Sequence, residues 1–208
     1  MEMQWLKKVK IMLEINKIYT QLPKEYLKQV LNYEGGYLSA ERAKQIGDKG
    51  GETCRGITIG ALQTAIHMGL VPPTVTCESL LTDLESVRKI YEVNYYRASR
   101  ANIMPHPLSF AHFDASVNHG KGNGFKFLQR TLNKVGFKLD VDGGFGPKTL
   151  SALQEALYKE DIMNMTSIYC YIRFTFYNAI VKNNPSQGKF YNGWINRLTK
   201  VKLFCGVK

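Results

Sequence analysis

Acidic residues are scarce in this chain. It has 17 Asp and Glu against 28 Lys and Arg in 208 residues, a formal net charge of +11. That imbalance favours anionic partners: nucleic acid, anionic membrane or cell-wall polymer. Other signatures are missing altogether. The four cysteines, at 54, 77, 170 and 205, form no Cys-x-x-Cys pair. That removes a zinc or dithiol redox reading and leaves free thiols as the expectation. The histidines, at 67, 106, 112 and 119, form no His-Glu-x-x-His pattern, so neither a metal nor another cofactor is expected. Basic residues are scattered rather than clustered, and no recognition motif accompanies them, so nucleic acid is not an expected partner. Long apolar runs are lacking too. Lys7, Lys8, Lys10, Glu14 and Lys17 interrupt the N-terminal stretch before it reaches the ~7–15 residues of a signal-peptide core. Nothing approaches the ~20 apolar residues of a bilayer span, so no stable membrane insertion is expected. There is no internal repeat and no low-complexity linker. Hydrophobic residues, at 44%, suffice for a packed core and exclude a disordered chain.

What is present is helical periodicity. Tyr26, Leu27, Val30, Leu31 and Tyr33 make one apolar face, which Gly35-Gly36 terminates. Thr58 stands where a cap belongs, ahead of Ile59, Leu62, Ala65 and Ile66. Leu81, Leu84, Val87, Ile90 and Tyr91 mark a further helix running toward Tyr95-Tyr96. Pro105 or Pro107 opens another, with Leu108, Ala111, Phe113 and Val117, which Gly120-Lys121-Gly122 is expected to break. Phe125, Leu128, Leu132 and Val135 then define a helix of their own, and Pro147 sits at the first position of the next. Long helices are expected over about 161–182 and 190–204. The pattern predicts a mainly α fold with a small irregular or β-hairpin region near 37–58.

Chemistry concentrates at that irregular region. Glu34-Gly35-Gly36-Tyr37 is followed by Asp48-Lys49-Gly50-Gly51-Glu52-Thr53 and then Gly56-Ile57-Thr58. One carboxylate comes at the end of a helix and a second on a glycine-rich loop. Two carboxylates on either side of a glycosidic bond divide the work of acid and of base or nucleophile. A glutamic acid serves as the acid when apolar or aromatic neighbours such as Tyr33 and Tyr37 raise its pKa. At a helix C-terminus the helix dipole adds to that effect. Asp48 has a second reading, an Asx-turn residue bonding the Gly50-Gly51 backbone. Thr53 likewise reads either as a site residue or as a strand threonine.

These motifs resemble glycoside hydrolase family 108, lysozyme-like muramidases common in phages and bacteria. Later segments extend the resemblance. Phe113-Asp114-Ala115-Ser116-Val117-Asn118-His119-Gly120 is similar to the family's Asp-x-x-Val-Asn-x-Gly element. Asp142-Gly143-Gly144-Phe145-Gly146-Pro147 and Gly193-Trp194-Ile195-Asn196-Arg197 match its C-terminal peptidoglycan-binding region, in order. The resemblance covers about residues 24 to 204. It implies a lysozyme-like fold with a catalytic region over 24–119. A helical peptidoglycan-binding region over 120–205 is expected to pack against it in one compact, monomeric body.

The implied activity is cleavage of the β-1,4 bond between N-acetylmuramic acid and N-acetylglucosamine in peptidoglycan. Glu34 would be the general acid, with Asp48 and Thr53 handling water or the cationic transition state. Tyr37, Asn118, His119 and Tyr96 would bind substrate, and Tyr95 and Trp194 are further candidate sugar platforms. Asp114 is expected to pair internally, and Trp194 with Arg197 to form a stacked structural pair. Without a visible signal peptide, the protein is expected to be made in the cytoplasm and to reach the wall or periplasm by a phage-type or secretion-system route. The alternative is a non-catalytic wall-binding or secretion-accessory protein on the same fold.

Overall fold

The structure, a computed structural model, describes residues 21–46 and 52–208. It forms two compact units, Gln21–Asn94 and, among the described residues, Tyr95–Lys208. It is mainly α with one small sheet. No helix among the described residues is long and apolar enough to cross a membrane.

In the first unit, α1 (Lys24–Leu31) buries Tyr26, Leu27 and Val30. Each such side chain contributes roughly 1.5–3 kcal/mol when fully buried. α1 packs against α4 (Leu84–Tyr91), whose Val87, Ile90 and Tyr91 are buried in turn. The pair is pinned at one end, where the Leu22 amide donates to Glu92 Oε2 at 3.1 Å. Arg88 holds the same carboxylate at 2.9 Å. After α1 the chain makes β1 (Tyr37–Leu38) and α2 (Ala40–Ile46). It then returns as the hairpin β2 (Thr53–Cys54) and β3 (Ile57–Thr58). The sheet order is β1-β2-β3, antiparallel, with Tyr37 opposite Cys54 and Thr53 opposite Thr58. Thr58 ends β3 and caps α3 (Ile59–His67), its hydroxyl accepting from the Ala61 amide at 3.2 Å. That is the cap expected from its place before the apolar periodicity.

The second unit is built on α5 (Leu108–Lys134), α6 (Pro147–Lys159), α7 (Ile162–Asn183) and α8 (Gly188–Cys205). A π-helical segment, Glu92–Arg97, leads into it from α4. α5 packs on both α7 and α8, burying Phe110, Phe113, Phe127, Leu128 and Leu132. The expected break at Gly120-Lys121-Gly122 is instead a kink. Gly120 alone leaves helical geometry, at φ 77° and ψ 154°, and the helix resumes beyond it. Packing of both halves against the same unit keeps the axis going where local propensity alone would end it. Pro147 opens α6 at its first turn, and Asp161 caps α7 by accepting from the Asn164 amide at 2.8 Å.

The Asp142 turn folds onto α5. Gln129 donates to Asp142 Oδ1 at 2.7 Å and to the Gly144 carbonyl at 3.0 Å, and its Oε1 accepts from the Gly143 amide at 3.0 Å. The Gln129 bond, with the Gly144 amide behind it, holds the Asp142 carboxyl below the usual range. Gly143 has φ +80°, and a Cβ there would lie 2.8 Å from the Gly122 carbonyl. The turn therefore orders the chain against α5.

Candidate active site

Glu34 lies three residues beyond the end of α1, in the bend that leads to β1, and is half-buried. It is past the last helical turn, and the dipole field fades within that turn, so the helix end contributes less than its sequence position suggested. Its immediate surroundings come from the β2–β3 turn. Arg55 and Gly56, the two turn residues, both have positive φ, 49° and 73°. That pair of signs marks the type I′ turn whose twist suits a tight hairpin. Arg55 is a costly residue for this conformation. Its guanidinium offsets the cost by donating through Nε to the Leu80 carbonyl at 3.1 Å and through Nη2 to the Leu81 carbonyl at 2.8 Å. Its own amide donates to the Gly36 carbonyl at 3.1 Å, which draws the Glu34-Gly35-Gly36 segment to the turn.

The result is a close approach. A Cβ on Gly56 would stand 2.6 Å from Glu34 Oε2 and 2.9 Å from the Tyr91 hydroxyl oxygen. Real Cβ contacts are longer, so glycine alone leaves room for the carboxyl. Tyr91 comes from α4 and is buried, and its hydroxyl donates to the Arg55 carbonyl at 2.7 Å. Glu34 thus meets a backbone turn and a phenol fixed by that same turn. Tyr91 reads in sequence only as an apolar-face residue. Its hydroxyl role comes from the packing of α4 on the hairpin, which no local pattern encodes.

Tyr37, on β1, is exposed and donates to Glu52 Oε1 at 2.7 Å. That bond pushes its pKa up to about 12, so the phenol stays protonated throughout the neutral range. The bond ties Glu52, just ahead of β2, to the start of β1, a role its place in the motif gave no sign of. Thr53 opens β2, paired to Leu38 and Thr58, and is half-buried. Asp48 lies outside the described residues. Cys54 is buried, and that burial raises its pKa and keeps it a thiol, a poor nucleophile. All four cysteines are free.

The remaining predicted site residues belong to the second unit. Tyr96 is fully buried, edge-on to Phe113 at a centroid distance of 5.6 Å. A ring with no exposed face is a core element, so the sugar-platform expectation for Tyr96 is corrected. Asn118 and His119, in α5, join a network at the Tyr177 hydroxyl. The Asn118 amide donates to it at 3.2 Å, Arg173 Nη2 donates at 3.1 Å, and His119 Nε2 lies 2.9 Å away. Burial first, then the Arg173 charge, depress the His119 pKa to about 3. A neutral His119 accepts the Tyr177 proton at Nε2, which uses every capacity of that phenol.

Behind this network stands a buried charge cluster. Asp114 pairs internally, as expected, with Arg173 at 2.9 Å and with Arg197 at 2.9 Å. Asp114 and Arg173 are fully buried. Trp194 and Arg197 do not form the expected stacked pair. Trp194 stacks on Tyr177, at 5.5 Å and 18°, while Arg197 is held by Asp114. A buried carboxylate outcompetes an indole face for a guanidinium.

Comparison with known proteins finds matches to two segments of the chain. Residues 27–120 match the family model "Glycosyl hydrolase 108", and residues 123–199 match "Predicted Peptidoglycan domain". The boundary between the two matches falls at the α5 kink. Among solved structures, the chain is similar to SagA of Brucella abortus, with 24% identity and a TM-score of 0.61. That similarity covers 87% of this chain and 91% of SagA, and it supports the lysozyme-like fold. No curated protein matches the chain. With a glycosyl hydrolase 108 segment followed by a peptidoglycan-domain segment, the chain carries the two parts of a peptidoglycan hydrolase.

Proposed function

We propose that the protein is an N-acetylmuramidase in which Glu34 protonates the bridging oxygen of the N-acetylmuramic acid–N-acetylglucosamine β-1,4 bond. The observation that carries this reading is the seating of the Glu34 carboxyl against Gly56 and beside Tyr91. A half-buried carboxyl beside a phenol, held by a rigid turn, has the surroundings that a general acid needs. Asp48 and Thr53 complete the reading. Thr53 stands on the strand leading into the turn, and Asp48 supplies the second carboxylate that either activates water or attacks the sugar. Asn118 and His119 are the proposed contacts to the substrate's N-acetyl group, the Asn118 side-chain oxygen being the group that the Tyr177 network leaves available. Cleavage at the wall follows release from the cytoplasm by a phage-type or secretion-system route. The rival chemistry, hydrolysis of the stem peptide by a cysteine, is disfavoured because Cys54 is held as a buried thiol.

Replacing Glu34 with Gln keeps the side chain's shape and removes its acid. The expected result is a variant with wild-type melting behaviour and turnover on purified peptidoglycan reduced at least about 100-fold. A folded Glu34→Gln protein with near wild-type turnover contradicts the proposal. Asp48→Asn is expected to lower kcat more than substrate affinity. If Asp48 only orders its loop, the melting temperature falls instead and activity per folded molecule is kept.

A further inference from the structure

A groove of about 640 Å³ lies on the second unit between α5 and α7. One wall is Arg130, Asn133 and Lys134 of α5; the other includes Tyr171, Thr175 and Phe176 of α7. Arg130 is three and four residues before Asn133 and Lys134, and on α7 Ile172, Thr175, Phe176 and Ala179 recur at intervals of three and four, so each wall is a single helical face. Their availability differs. Asn133 is spent on the chain itself, since its amide donates to the Leu139 carbonyl at 2.8 Å and its Oδ1 accepts from the Leu139 amide at 2.7 Å. Thr175 donates back to the Ile172 carbonyl at 2.8 Å. The groups left to meet a ligand are the two exposed cations, Arg130 and Lys134, and two rings, of which Tyr171 is 62% exposed. Among the described residues, no carboxylate lines the groove.

We propose that this groove binds the stem peptide of peptidoglycan, separately from the glycan strand that the Glu34 region cleaves. The inference rests on the peptidoglycan reading above and names a site for it. Arg130 and Lys134 are one helical turn apart, roughly 6 Å along the axis. A stem tetrapeptide presents free carboxylates at its γ-linked glutamate and, two residues on, at its C-terminal end, together with alanine methyl groups, and the long arginine and lysine side chains can splay from one helical turn to reach both. Two cations in register receive two carboxylates, and Tyr171 and Phe176 cover the methyls. A neutral sugar strand leaves both cations unmatched. Every residue of the groove lies within the 123–199 segment matched by the peptidoglycan-domain model.

The test compares binding of the full-length protein to intact sacculi and to sacculi stripped of stem peptides by an amidase, the lactyl carboxyls so exposed then being converted to methylamides so that the strand is neutral. Stripping is expected to weaken wild-type binding at least about tenfold. The double variant Arg130→Gln, Lys134→Gln is expected to bind intact sacculi no better than wild type binds stripped ones. A melting curve run on each sample controls for folding. A soluble disaccharide-tetrapeptide provides a measurement that needs no variant. On titration it should shift NMR signals of α5 and α7 around Arg130 and Tyr171. Equal wild-type binding to both kinds of sacculi overturns the proposal. So does wild-type-like binding by the double variant, or a tetrapeptide response confined to residues outside the groove. Reducing-end release from the same sacculi is recorded in parallel. If it persists while the groove tests fail, only the groove is wrong; if it is absent, the muramidase reading fails first.

Discussion

At Gly56 there is room for a hydrogen and nothing larger. The φ of +73° disfavours any L side chain by roughly 1–2 kcal/mol. A methyl would also press on Glu34 Oε2 from 2.6 Å. Gly56→Ala is therefore expected to move the carboxyl as well as strain the turn. Misplacing a reacting group by an ångström costs up to about 100-fold in rate. The expected outcome is kcat down by about 10- to 100-fold in a protein that still folds, read from reducing-end release with a melting curve on the same sample. Unchanged kcat would mean that the Glu34 carboxyl does not depend on the turn. At this scale the sequence was a partial guide. The order of Glu34, Thr53, Gly56 and Thr58 pointed to the site. Tyr91 and the Arg55 reach to Leu80 and Leu81 were hidden, because they depend on contacts 25 to 36 residues apart in the chain.

Helices α5, α7 and α8 are joined by one buried charge cluster, since Asp114, Arg173 and Arg197 come from one helix each. Removing the carboxylate leaves two guanidiniums without their shared anion, one of them fully buried. Asp114→Asn is expected to destabilise the protein by about 3–5 kcal/mol, measured by urea unfolding. A loss under 1 kcal/mol would mean that water or other groups satisfy the arginines. Element boundaries themselves were legible where capping chemistry is local. Thr58, Pro147 and Asp161 each sit where their helix starts. The kink at Gly120 was not legible, because tertiary packing carries the helix across two glycines. Nor was the burial of Tyr96, whose helical spacing suits a core ring and a surface ring equally.

Across the whole molecule two bulk properties make predictions. His112 and His119 have pKa values depressed to about 4 and about 3, chiefly by burial, against an ordinary value of 6.5. The unfolded chain therefore binds protons at these sites before the folded one does. Their contribution to stability is complete above pH 6.5 and is lost as pH falls toward 4 and then 3. At pH 5 the loss for His112 alone amounts to about 2 kcal/mol. Melting temperature should be flat above neutrality and decline below pH 6.5, with a shallower decline in His112→Gln; a profile flat down to pH 4 would contradict it. The net charge of +11 should make capture by anionic sacculi weaken as ionic strength rises. Cleavage of a short soluble glycan should be affected less, and sacculus binding unchanged from low to high salt would count against electrostatic capture. The central claim is that this chain cuts sugar bonds rather than peptide bonds. The most direct measurement is digestion of purified peptidoglycan with reducing ends and free amines assayed in parallel. The account predicts reducing ends that accumulate with time while amines stay at background; amines accumulating without reducing ends would contradict it.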